Sequence, residues 1–191
     1  MTTQTATVTG LDELIERLDA AVQQPTPDAI THAVKETLEE LVGTRALELP
    51  ESLVRPKPEG YARRLLHLSD RFGYSVLAMT WGPGQGTALH DHSGMWCVEG
   101  VLCGTIEVTQ YELLEEQGDR YRFRRQGSVH AGVGDAGALI PPFEYHVICN
   151  SSPTEKAVTL HVYAGEMKQC TIFVPADDGW HQRQERQLCY D

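Results

Sequence analysis

The sequence predicts a mainly β domain, an antiparallel sandwich or small barrel, with two α-helices in front of it. Three observations carry this. The apolar period is helical as far as Leu41 and changes to two beyond Gly60. From there, short runs rich in Val, Leu, Ile, Thr and Tyr follow one another across Gly/Pro turns with no helical stretch between them, as in all-β folds. The chain has 191 residues, room for one domain with a helical appendage and too few for a two-domain enzyme.

The helices come first. Leu11, Leu14, Ile15, Leu18 and Val22 recur at helical spacing behind a Thr9 cap, with Asp12 three residues on. A second helix opens at Thr26 with Pro27 in its first position and sets Ile30, Val34, Leu38 and Leu41 on one face. Both faces read as packing surface. The run PESLVRPKPEG, rich in proline and charge, links the helices to the sheet. Strands are expected near 61–68, 73–80, 87–92, 96–102, 104–113, 120–124, 128–131, 138–140, 144–149, 156–164 and 169–174. The closing DDGWHQRQERQLCYD is polar and reads as a surface tail anchored by Trp180. The chain thus divides into helices and linker over 1–60, a barrel over 61–176 and a tail over 177–191, one structural domain overall.

Lys and Arg number 16 against 27 Asp and Glu, a formal charge of -11, so a broad phosphate-binding face and a nucleic-acid partner are not expected. No run of 18 apolar residues occurs, and MTTQTATVTG has neither a basic start nor an apolar core, so neither a membrane span nor a secretory signal is expected. Cys97, Cys103, Cys149, Cys170 and Cys189 are odd in number and irregularly spaced, which fits reduced thiols in a cytoplasmic protein better than a disulfide framework. GPGQG at 82–86 lacks the Lys-Ser/Thr of a phosphate loop and runs into a strand, which removes a nucleotide reading.

The chemistry sits in the histidines. His90 and His92 are one residue apart and share a face if they lie on a strand. His146, in EYHVIC on a later strand, meets them only if the sheet folds back on itself. Three neutral imidazoles suit Fe, Zn, Cu or Ni rather than Ca or Mg. Around them, Gly84, five residues, His90-x-His92, four residues, Cys97, six residues and Gly104 form a frame similar to the first cupin motif, with Cys97 where many cupins carry a glutamate ligand. Gly134, Pro141, His146 and Asn150 resemble the second motif, with one extra residue before Pro141 and Phe143 in place of the usual glycine. The frame implies a cupin-type antiparallel β-barrel, a jelly roll. A neutral three-histidine face leaves an ion its full positive charge and open positions, which suits an anionic thiolate together with O2; a ligating carboxylate would oppose the thiolate.

Within the cupins the sequence resembles the thiol dioxygenases, and cysteine dioxygenases in particular, on YARRLL, WGPGQGTALHDHSGMWC, EYHVICN and AVTLHVYAGEM. The resemblance implies that His90, His92 and His146 ligate one Fe(II) per chain. It implies substrate contacts for Arg63, Tyr61 and Tyr163, the Arg63 guanidinium offering a planar fork to a carboxylate; a slip of one residue would exchange Arg63 with Arg64. It implies catalytic roles for Tyr163, His161 and Cys97, with Thr159 behind them where the family more often has serine. Cys97 and Tyr163 match the pair that forms a thioether in mammalian-type members. Cys103, Cys149 and Cys170 read as small buried apolar residues. Ala164-Gly165 replaces the Ser-Pro-Pro of mammalian-type members, which leaves the exact thiol open. The expected partners are a small thiol and O2, and the expected reaction converts L-cysteine to its sulfinate. The alternatives are a dioxygenase of 3-mercaptopropionate or mercaptosuccinate, and a cupin isomerase or small-ligand sensor whose metal is structural or absent.

Overall fold

The computed structural model describes residues 7–191, so most of the opening MTTQTATVTG lies outside the described residues. Helix α1 (Leu11–Ala21) and helix α2 (Pro27–Gly43) fall where the apolar period puts them. For α2 the start is as expected: Thr26 accepts a bond from the Ala29 N–H at 3.2 Å, with Pro27 in the first turn. For α1 it differs. Gly10 is the cap residue, at φ +77°, and Thr9 instead exchanges backbone bonds with Glu48 at 3.0 and 3.1 Å. A Cβ on Gly10 would lie 2.1 Å from the Ala46 carbonyl oxygen, so this close crossing needs glycine.

The strands are β1 (Ala62–Leu68), β2 (Ser75–Trp81), β3 (Leu89–His90), β4 (Cys97–Cys103), β5 (Ile106–Gln117), β6 (Arg120–Ala131), β7 (Ala136–Leu139), β8 (His146–Cys149), β9 (Ala157–Tyr163), β10 (Gln169–Pro175) and β11 (His181–Gln187). One sheet has the order β1-β2-β9-β4-β7; the other strands, β10-β11-β6-β5-β8-β3, pair in a closed circuit. Every pairing is antiparallel. The fold is the expected mainly β, cupin-type jelly roll behind two helices.

Three differences have local causes. The segments expected at 120–124 and 128–131 are one strand, with Gln126 the extra residue on β6 at the Gln110/Tyr111 register shift and Leu114 the extra residue on β5 at the Leu113/Glu115 shift. The segment expected at 87–92 shortens to two residues. The polar end is not only a tail: β11 pairs with β10 from Gln187 to His181 and reaches β6, closing the circuit. Six of its seven residues are exposed, so no apolar alternation marks it. Trp180 does anchor it, buried beneath the Arg120 and Arg122 guanidiniums at 4.8 and 4.4 Å from the ring centre.

The five-stranded sheet is covered on both faces. Val76, Ala78, Val98, Leu160 and Val162 face outward into a core with Leu14, Leu18, Val34, Leu38 and Leu41 of the helices. Their odd-numbered neighbours Leu77, Met79, Trp81, Cys97 and Tyr163 pack inward with Ile106, Ile148 and Cys170 of the other sheet. Strands β2 and β9 are therefore buried at all seven positions and read as continuous runs. The inward odd-numbered face is where the site lies. Among the described residues, no helix is long and apolar enough to cross a membrane.

Asn150 locks the turn that precedes the histidines. Its buried amide donates to the carbonyls of Trp81, Gly82 and Glu155 at 3.1, 3.1 and 2.8 Å, and its oxygen accepts from the Ser152 N–H at 3.1 Å. Asn150→Ala leaves these groups unanswered and is expected to lower stability by about 2 to 4 kcal/mol, read as a shift in urea midpoint at unchanged slope. A midpoint within error of the parent would remove this role.

Candidate metal centre

Strands β3 and β8 are adjacent, and His90 is the direct partner of His146. His92 lies just past β3, on the loop that runs to β4. All three imidazoles are buried. His146 Nε2 lies 3.2 Å from His90 Nε2 and 3.2 Å from His92 Nε2. One nitrogen carries at most one proton, so hydrogen bonding alone cannot satisfy both contacts. His90 Nδ1 lies 3.0 Å from the Ala88 carbonyl, which can only accept; its proton is on Nδ1 and its Nε2 lone pair faces the other two rings. Nitrogens held at about 2.1 Å on one ion, at an angle near 100°, would stand about 3.2 Å apart. The donor set therefore fits a transition-metal ion. Burial first, and in second place the neighbouring imidazoles, holds His92 and His146 well below the ordinary histidine range, which leaves them neutral and competent to ligate.

Thr159, His161 and Tyr163 share the inward face of β9. The Trp81 indole N–H donates to Thr159 Oγ1 at 2.9 Å. The Thr159 hydroxyl lies 2.7 Å from His161 Nε2, and its proton has that nitrogen as its acceptor. His161 Nδ1 then carries the ring proton, 3.3 Å from the Tyr163 hydroxyl. Cys97 is the direct cross-strand partner of Tyr163. Burial raises both the Cys97 thiol and the Tyr163 phenol well above their ordinary values, so both are protonated.

Arg63 and Arg64 separate as strand alternation requires. Arg64 turns away from the site and bonds the Leu53 and Arg55 carbonyls of the linker at 3.0 and 2.7 Å. Arg63 is buried and lines a small cavity, about 20 Å³, with Tyr61, His90, His161 and Tyr163. Its Nη2 donates to the Met167 carbonyl at 2.7 Å, while its buried Nη1 has no partner among the described residues. Tyr61 stacks on Trp81 with ring centres 4.5 Å apart.

The sequence reading missed several neighbours. Cys170, taken as a core residue, lines the small cavity with Met167 and Leu188. Tyr190 lies 5.0 Å beneath the Arg63 guanidinium, and Asp191 accepts the Arg63 backbone N–H at 2.7 Å. Cys103, also taken as buried, is exposed; all five cysteines are free. The larger omission is Glu99. Its side chain is 10% exposed, with Oε1 3.2 Å from His161 Nδ1 and 3.7 Å from His146 Nε2. The three imidazoles come together as a group of their own, and this carboxylate stands beside them against His161. A signal was present: Glu99 is two residues beyond Cys97 on β4 and must share its inward face.

A family model described as cysteine dioxygenase type I matches residues 51–175, most of the chain. The chain belongs to the cysteine dioxygenase type I family. Cysteine dioxygenase type 1 from Danio rerio is 28% identical over 105 residues, covering 52% of this chain and 49% of that protein. The Rattus norvegicus protein of the same name is 25% identical over 104 residues, again 52% and 49%. The matched part thus spans about half the length of these relatives. Similar solved structures include a double-stranded β-helix protein from Klebsiella pneumoniae, 20% identical with a TM-score of 0.46, covering 69% of this chain and 86% of that one. A sugar phosphate isomerase of the cupin superfamily from Silicibacter pomeroyi is 18% identical with a TM-score of 0.45, covering 68% and 77%.

Proposed function

We propose that this member of the cysteine dioxygenase type I family is an Fe(II)-dependent thiol dioxygenase that converts L-cysteine to L-cysteine sulfinate. The observation that carries the reading is the buried, unpartnered Nη1 of Arg63 in the cavity that His90 also lines. A thiol carboxylate answers both features. Fe(II) held by His90, His92 and His146 would supply open positions where a thiolate and O2 meet.

The chain's own residues supply the rest. Arg63 Nη1 donates to the substrate carboxylate, while Met167 and Tyr190 hold the guanidinium in place. Burial raises the worth of that charge pair by excluding water. His161, oriented through Thr159 and Trp81, sets its Nδ1 between the Tyr163 hydroxyl at 3.3 Å and Glu99 Oε1 at 3.2 Å. The thiolate and O2 give the sulfinate with both oxygen atoms retained, sulfur losing the four electrons that O2 gains. A cavity of about 20 Å³ has room for about one water. Admitting the substrate therefore requires a wall to yield, and Leu188 belongs to that wall.

The test is O2 uptake by anaerobically iron-loaded protein against L-cysteine, cysteamine, 3-mercaptopropionate and mercaptosuccinate. Cysteine is expected to be consumed fastest, one O2 per thiol, with the sulfinate as product. No uptake with any of the four would overturn the reading, and preference for a thiol without an amine would move the substrate.

A second expectation follows from the Cys97–Tyr163 pairing. Coupling the thiol to the ring carbon beside the hydroxyl removes one S–H and one C–H hydrogen, O2 taking the two electrons and two protons. Protein incubated with iron, cysteine and O2 should gain a species lighter by two hydrogens, absent from Cys97→Ser and Tyr163→Phe. An intact mass that stays unchanged after many turnovers would sink the cross-link.

A further inference from the structure

Beside the small cavity, between the two sheets, a chamber of about 500 Å³ opens at the short edge strand β7. That volume is in the range of small-molecule sites. Val101, Ile106, Val108, Leu139 and Ile148 are among its walls. Val129 is another: it pairs directly with Val108 and so stands on the same inward face, yet it is 64% exposed. Glu99 belongs to the wall of both the chamber and the small cavity. Its Oε1 is answered, accepting from the Cys97 thiol at 3.9 Å and lying 3.2 Å from His161 Nδ1. Its Oε2 has no partner among the described residues and is not shut away from open space. A carboxylate nine-tenths buried without a cation is costly, and a ligand that brings the cation recovers that cost.

The lining also sets the chemistry of the ligand. The other charged residues on it are Lys35, Glu39 and Asp135; Lys35 and Glu39 pair with each other at 3.5 Å, and Asp135 accepts the Gly132 N–H at 2.7 Å. The balance disfavours an anion. No phenylalanine, tyrosine or tryptophan lines the chamber among the described residues, so a quaternary ammonium finds no aromatic cage, whereas a primary ammonium can donate an N–H to Oε2. We propose that this chamber is a second small-molecule site, for a primary aliphatic amine whose ammonium donates to Glu99 Oε2 while its carbon chain lies along Val108, Val129 and Ile106. The site goes beyond the dioxygenase reading and needs no metal. Through Oε1 the same carboxylate touches His161, so an occupant stands one carboxylate away from the Tyr163 hydroxyl's partner.

Calorimetric titration of the purified protein with n-hexylammonium, hexanoate and 1-hexanol tests this. Hexylammonium is expected to bind one per chain, and the acid and the alcohol of equal chain length far more weakly. Glu99→Gln keeps the shape and removes the charge; its affinity for hexylammonium is expected to fall roughly 10- to 150-fold, as for loss of a charge-assisted hydrogen bond. Val129→Trp fills the chamber from an exposed position that is not part of the small cavity, and is expected to abolish binding at an unchanged Tm. An amine that ligated an ion on the histidines instead would still bind Val129→Trp, and that result overturns the proposal. So do equal binding of the three probes, an unchanged affinity in Glu99→Gln, or no binding of hexylammonium by wild type. Should Glu99→Gln fail to fold, Val129→Trp and the three-probe comparison decide. Cysteine turnover enters none of these readouts, so the dioxygenase reading stands or falls separately.

Discussion

His146→Ala is expected to lose essentially all bound iron, from about one ion per chain to near none by elemental analysis. Of the three imidazoles, His146 is central: its Nε2 makes both 3.2 Å contacts, so removing it leaves His90 and His92 without the nitrogen that joins them. Changing a group that only supports a ligand costs about 10- to 100-fold in metal affinity, and losing a ligand outright should exceed that. Stability gives an independent reading. A ligand present at 100 times its dissociation constant stabilises the folded state by about 2.7 kcal/mol, so adding Fe(II) should raise the Tm of wild type and leave that of His146→Ala in place. The metal-free Tm of the variant reports folding separately. His146 sits on β8 between β3 and β5, whose backbone pairing does not depend on the imidazole. A variant that keeps full iron and full activity would remove the assignment of this triad.

How legible the site was depended on which physical signal marked each residue. Strand alternation was enough to separate Arg63 from Arg64, because side-chain direction along a strand is set by the backbone alone; His92 meets His90 from the loop beyond β3 instead. Helix α2 was readable to the residue at its start, since Thr26 and Pro27 act locally. Thr9 misled because the decisive contact, Gly10 against Ala46, is between segments far apart in sequence. Strand β11 was invisible for a related reason: HQRQERQ is held by backbone pairing to β10 with its side chains in solvent, and an apolar period cannot report a strand that buries almost nothing. Glu99 could have been found, since a two-residue spacing on β4 puts it on the same face as Cys97. The cupin motif drew attention to position 97 and away from the carboxylate two residues on. Tyr190 and Asp191 could not have been found, because nothing local ties the end of the chain to Arg63.

Arg63→Ala is expected to lower kcat/KM for cysteine roughly 10- to 150-fold, and for cysteamine far less. The range is the loss of a charge-assisted hydrogen bond of about 1.5 to 3 kcal/mol, applied to a substrate that has a carboxylate and to one that lacks it. The comparison matters because Arg63 is also part of the fabric. It bonds the Met167 carbonyl and lies against Tyr190, so its removal also loosens the end of the chain. That loosening reaches both thiols alike; only the carboxylate contact separates them. Arg64→Ala is the control from the other face of β1. Its guanidinium ties the Leu53 and Arg55 carbonyls and Thr80 Oγ1, at 3.2 Å, and touches nothing in the cavity. That variant should lose stability, with the ratio of cysteine to cysteamine activity unchanged. Equal losses on both thiols in Arg63→Ala would make Arg63 a structural residue. A selective loss in Arg64→Ala instead would reverse the two assignments, and the inward face of β1 would have to be redrawn.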